Sequence, residues 1–203
     1  MTDEDTHSTN PSENMASPYG TLHTAFGAQE LQARDRFYDH DSSKKLLEQL
    51  KDDLAKSETG DRLLQVLEHL GAKVKFIKSK KLQSSVNGTN EVFLSATPDQ
   101  KKASLSQLIE FGGALRELEQ NAVGYGMPSM DEDPFEKASR IHTKYLDKIV
   151  FMCKIGHELE NIYGNQIREV LSDFGYIDIY NAHVDNAGHE AVGQIYRQAQ
   201  EET

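Results

Sequence analysis

The sequence predicts a predominantly helical α+β domain, and three observations carry that prediction. Apolar residues recur at helical spacing over several long stretches, from Leu46-Leu47-Leu50-Leu54 to the apolar run around Cys153. Only two short stretches, Lys73 to Lys78 and Glu91 to Ser95, read as strands. Glycine, proline and helix-capping residues stand where one period gives way to the next.

The chain has 203 residues, of which 37% are hydrophobic. That is low for a globular protein, and the deficit is concentrated at the start. Residues 1–32 are rich in Ser, Thr, Asn and Asp with scattered Pro and Gly, which predicts a disordered acidic and polar tail. A local helix over Ala28 to Phe37 is compatible with this. Residues 33–203 carry enough Leu, Ile, Val and Phe to bury the core of one domain.

Within that domain the elements follow in order. Asp41 or Ser42 caps a helix running to about Ser57, with Leu46, Leu47, Leu50 and Leu54 along one stripe. Thr59-Gly60 breaks it, and a second helix runs from Asp61 to Leu70, closed by Gly71. In Lys73 to Lys78, Val74 and Phe76 face one way and Lys73 and Lys75 the other. Asn87-Gly88 marks a hairpin-type turn, and Glu91 to Ser95 is the next strand. The expectation is a small antiparallel β unit of two strands with a long connection. Thr97 then caps a helix with Pro98 in its first turn, extending to about Asn121. Pro134 opens a long helix to about Tyr163. Gly164 separates it from a short helix ending near Gly175, and a last amphipathic helix occupies much of Asp178 to Gln200.

Charge and composition exclude several function classes. The net charge of -11 repels phosphate backbones and anionic lipid, which disfavours nucleic-acid and membrane partners. No apolar run approaches the roughly 20 residues that span a bilayer. The start of the chain lacks a basic segment followed by an apolar one, so no secretory signal is expected. These features predict a cytoplasmic, bacterial-type protein. The single cysteine, Cys153, lies in an apolar helical run and is expected to be buried.

The most informative segment is Leu108-Ile109-Glu110-Phe111-Gly112-Gly113-Ala114-Leu115-Arg116-Glu117-Leu118-Glu119-Gln120. Together with Gly71-Ala72-Lys73-Val74-Lys75-Phe76, Asn90-Glu91-Val92-Phe93-Leu94, Arg140 and Ile155-x-x-Glu158-Leu159, it resembles a family of bacterial metallopeptidase-like domains. The resemblance covers roughly residues 42 to 200. It implies a zincin-like arrangement, with the β unit packed on a central helix that bears a His-Glu-x-x-His pattern. Two histidines one turn apart hold zinc, and the glutamate acts as general base on the metal-bound water. Aligned on Leu115-Arg116 and Gln120, Gly113 takes the first histidine's place, Ala114 the glutamate's and Glu117 the second histidine's. Thr143-Lys144-Tyr145-Leu146 falls where the family has a further acidic ligand segment. The scaffold is expected and the zinc ligands are not, so no metal or other cofactor is assigned. Two glycines inside a helix cost about 0.8 to 1 kcal/mol each relative to alanine. This points to close packing that tolerates no Cβ, or to a pocket left where a metal site stood.

Other constellations have ordinary explanations. His157-Glu158-Leu159-Glu160-Asn161 lacks the second histidine and reads as an acidic helix face. His183 and His189 share a site only if the helix breaks at Gly188. Asp131-Glu132-Asp133 reads as a helix start, and Lys78-x-Lys80-Lys81 as a solvated strand end. Glu110 and Glu117, seven apart, share one helical face; with Arg116 and His142 they are the candidate groove residues.

Three readings follow. The first is a catalytically inactive relative of a zinc peptidase that binds an unidentified protein partner. The second is an acidic helical adaptor of unrelated origin. The third is a metal-dependent hydrolase with a rearranged site, using Glu117 with His142 or with His183 and His189.

Overall fold

The computed structural model describes residues 40–79, 81, 83–97, 100–125 and 133–185. All of them belong to the second of two units, residues 35–203. The expected tail, the 28–37 helix, Pro98, Asp131 and Glu132, and His189 lie outside the described residues. The described elements are α1 (His40–Leu54), α2 (Glu58–His69), β1 (Lys73–Lys78), β2 (Ser84–Asn87), β3 (Glu91–Ala96), α3 (Leu105–Ala122), α4 (Pro134–Tyr163), α5 (Gln166–Asp173) and α6 (Ile177–Val184). The expected last helix to Gln200 is described only over α6.

Helices α1 and α2 meet in a tight turn. The break falls at Ser57 and not at Thr59-Gly60, because the Ser57 hydroxyl accepts from Gly60 N–H and caps α2. Thr59 and Gly60 are therefore in the first turn of α2. A Cβ on Gly60 would collide with the main-chain oxygen of Leu54, so the turn admits only glycine. At the other end Gly71 takes φ +60°. Its N–H bonds Glu68 O, and Ala72 N–H bonds Leu67 O. This paired arrangement satisfies the last carbonyls of α2 and turns the chain into β1.

The sheet corrects the expected two-stranded antiparallel unit. It has three strands in the order β1-β3-β2. β1 pairs with β3 in parallel, Val74 opposite Val92, whereas β2 pairs with β3 antiparallel, Val86 opposite Val92. β2 is the strand that the sequence hid, since Ser84-Ser85-Val86-Asn87 is too short and polar for its periodicity to register. The Asn87-Gly88 turn does join β2 to β3, with Gly88 at φ +59°. Central β3 is buried from Val92 through Ala96.

The centre of the core is α3. Leu108, Ile109, Phe111, Ala114, Leu115 and Leu118 are all buried, so the helix is apolar on nearly every side, as an enclosed helix must be. It begins at Leu105, not after Thr97. Ser104 and Gln107 form a reciprocal capping box, while Thr97 N–H is taken by the Gln100 side chain in the preceding loop. Gln107 Nε2 also donates to Ser95 O at 2.7 Å, tying the start of α3 to β3. Helix α4 packs along α3, opening at Pro134 with Asp133 as its cap. Leu46, Leu50, Leu54, Met152, Ile155 and Leu159 join α3 in one hydrophobic cluster with Val92 and Leu94. Among the described residues no helix is long and apolar enough to cross a membrane.

Candidate functional site

At Gly112 and Gly113 α4 packs closely against α3. A Cβ on Gly112 would lie 2.5 Å from Ile155 Cδ1. A Cβ on Gly113 would lie 2.8 Å from Met152 Sδ and 3.0 Å from Lys148 Cε. The close-packing explanation of the glycine pair is therefore the one the geometry carries. The space beside Gly113 is filled by a thioether and a lysine stem, and Ala114 is fully buried.

Glu117, one turn on, projects toward α4 between two lysines. Lys148 Nζ stands 3.3 Å from Glu117 Oε2, and Lys144 Nζ stands 3.8 Å from Oε1. The Lys148 ammonium also lies 3.4 Å from Ser84 Oγ, and that hydroxyl donates to Glu110 Oε2 at 2.6 Å. Lys148 thus links Glu117 to Glu110 through Ser84, and the chain of contacts joins α3, α4 and β2. The lysine side chains are only 15% and 19% exposed. Burial lowers the pKa of Lys144; attraction from Glu117 opposes this and repulsion from Lys148 adds to it.

Of the residues singled out from sequence, the structure brings Gly113, Glu110 and Glu117 to one place. Arg116 lies on another flank of α3. Its Nε donates to Asp147 Oδ2 at 2.6 Å, one terminal nitrogen pairs with Glu119, and the guanidinium sits 4.0 Å from the Phe151 ring centre. Arg62 from α2 pairs with the same Glu119, and Gln120 Nε2 donates to Asp147. This network fastens α2, α3 and α4 together. The Arg62 bond lowers the pKa of Glu119 most strongly, burial opposes it, and Arg116 reinforces it. His142 sits two positions before Lys144, about 200° around α4, and so faces away from Glu117. Burial lowers its pKa.

The truncated motif at His157-Glu158 separates into two roles. Glu158 turns back to the start of α2, where it accepts from Ser57 Oγ, Thr59 N–H and Thr59 Oγ1 at 2.7, 2.8 and 2.6 Å. Burial works against its charge, but the Thr59 and Ser57 bonds outweigh it and hold the carboxyl below the usual range. His157 instead points toward α6 and the ring of His183. Cys153 is buried, and burial pushes its thiol up to about 12.

The residues that sequence reasoning missed are Lys144, Lys148 and Ser84. One signal for Lys144 was present, because it lies in the segment aligned with the family's acidic ligands and reverses their charge. Ser84 belongs to the strand that went unrecognised. Among the described residues no three His, Cys, Asp or Glu side chains are grouped to hold a metal. No family model, curated protein or solved structure matches the chain.

Proposed function

We propose that this protein is a non-hydrolytic relative of the metallopeptidase-like domains that binds an extended segment of a partner protein. The observation that carries the reading is the Lys148 ammonium between Glu117 and the Ser84–Glu110 pair. A zincin-like site would set a divalent cation against the central helix here; this chain sets a lysine head group there. Gly113 and Ala114 offer no ligand side chain, and the Glu117 carboxylate already has two ammonium partners. General-base chemistry on a metal-bound water has neither its metal ligands nor its base.

The outer edge of β2 supplies a binding surface. Ser95 N–H bonds Gln83 O, so in the antiparallel register the main-chain groups of Ser85 and Asn87 also point to β3. Those of Ser84 and Val86 point away from it, toward an edge that no described strand occupies. An extended segment adds to such an edge through main-chain hydrogen bonds. The neighbouring Lys148, Glu110 and Ser84 would set its side-chain preferences. The adaptor reading called for no β unit on the glycine-bearing helix, whereas β2 and β3 both pack on α3.

The test is selection of binders from a displayed library of short random peptides on tag-free protein, followed by mass analysis of the bound peptides with added Zn2+. The expected result is that selected peptides bind and are recovered intact. Val86→Pro, which removes one outward N–H, abolishes binding while the far-UV circular dichroism is retained. Zn2+-stimulated cleavage that Glu117→Gln removes would establish the hydrolase instead. Undiminished binding by Val86→Pro would remove β2 as the surface.

A further inference from the structure

Two histidines that the sequence set apart meet in space. His157 lies toward the C-terminal end of α4 and His183 in the last turn of α6. Their imidazole rings stand edge to face, with centroids 5.9 Å apart and planes at 78°. A metal bonded to a ring nitrogen at about 2.0 to 2.1 Å sits about 3.2 Å from the ring centre, so two rings on one tetrahedral ion stand about 5.2 Å apart. The observed spacing is wider than this by about 0.7 Å, a gap that rotation about the side-chain torsions closes.

The surroundings favour an ion there. His157 Nδ1 faces Glu160 Oε2 at 3.8 Å, beyond hydrogen-bond range but near enough for the carboxylate to attract a cation held by the ring. Glu160 is itself fixed by Arg168, whose Nε donates to it at 2.8 Å, and the same guanidinium reaches Asn181 Oδ1 at 3.2 Å. Arg168 on α5 thereby ties the carboxylate on α4 to α6, two residues before His183. The His157 side chain is 46% exposed, so an ion has access from solvent. Each imidazole has two nitrogens, so one metal bond per ring leaves the other nitrogen for a protein partner.

We propose that His157 and His183 form a two-imidazole site for a divalent transition-metal ion, with Glu160 beside it and water completing the coordination. Imidazole donors suit Zn2+, Cu2+ and Ni2+. The ion clips α6 to α4 about 13 Å along α4 from Lys148, so the site is independent of the Glu117 cluster.

The experiment is calorimetric titration of the tag-free full chain with Zn2+ and with Cu2+ near neutral pH, with circular dichroism confirming that each variant folds. The wild type is expected to bind. His157→Gln and His183→Gln each weaken binding at least about tenfold, and Glu160→Gln, which keeps both imidazoles, weakens it about tenfold. No binding by the wild type overturns the proposal, and so does binding that either histidine variant retains at full strength.

Discussion

Glu117 makes its described contacts through two lysines one turn apart on α4, and this sets what each residue there can do. Lys148 holds Glu117 directly and Glu110 through Ser84. Replacing Lys148 by Met leaves two carboxylates on one face of α3 with less compensation. The expected loss is about 1.5 to 3 kcal/mol, the usual range for hydrogen bonds to charged groups, read from urea unfolding. Restoring Lys at position 148 as Arg recovers only part, because a planar fork does not replace a compact ammonium. Gly60 is the strictest of the described glycines. Its Cβ direction meets main-chain oxygen, which cannot swing aside as a side chain would. Gly60→Ala is expected to destabilise by about 2 to 3 kcal/mol, at the upper end of overpacking, measured as a shifted urea midpoint with an unchanged slope. Gly113→Ala meets only the flexible ends of Met152 and Lys148, so its loss is smaller, offset by about 1 kcal/mol of helix propensity.

At the scale of elements, α4 ties α2, α3, α5 and α6 together. It clasps α3 at the glycine pair, holds α2 through Glu158, and carries Asp147 and Phe151 for the Arg116 network. The Glu158 contact makes stability depend on pH with a definite sign. Its folded-state pKa is depressed, so its contribution is fully present above the unfolded carboxyl value and is lost as pH falls through the folded one. Stability of the wild type should therefore drop more steeply below about pH 4 to 5 than that of Glu158→Gln; equal pH slopes in urea unfolding would remove this role. Several element boundaries were legible because their caps are local, though the α1–α2 break was placed at Thr59-Gly60 and falls at Ser57. Asp133-Pro134, Gly71, Asn87-Gly88 and Gly164 sit where the sequence predicted them. The start of α3 was not, since Thr97-Pro98 imitates a helix start while the Ser104–Gln107 box supplies the real one. The parallel pairing of β1 with β3 was hidden for a different reason. It depends on a four-residue polar strand lying at the far edge of the sheet, and nothing local distinguishes that strand from a loop. The polar cluster was legible only in part. Glu110 and Glu117 share a face by helical spacing, but their partners come from β2 and α4, and the approach of those elements is a tertiary fact.

For the molecule as a whole, the net charge of -11 opposes docking on phosphate backbones. Retention on a heparin or duplex-DNA column is expected to be negligible at low salt, where phosphate contacts are strongest. The two proposals assign cations to two different places, an ammonium at Glu117 and a transition-metal ion at His157 and His183. One measurement separates them and bears most directly on the central claim: anomalous X-ray scattering at the zinc edge from crystals of tag-free protein equilibrated with Zn2+. Lys148 is expected to remain between Glu117 and Ser84, with no zinc peak beside Glu110 or Glu117. A zinc peak bonded to Glu117, with Lys148 displaced, would contradict it and return the chain to the metal-dependent hydrolases.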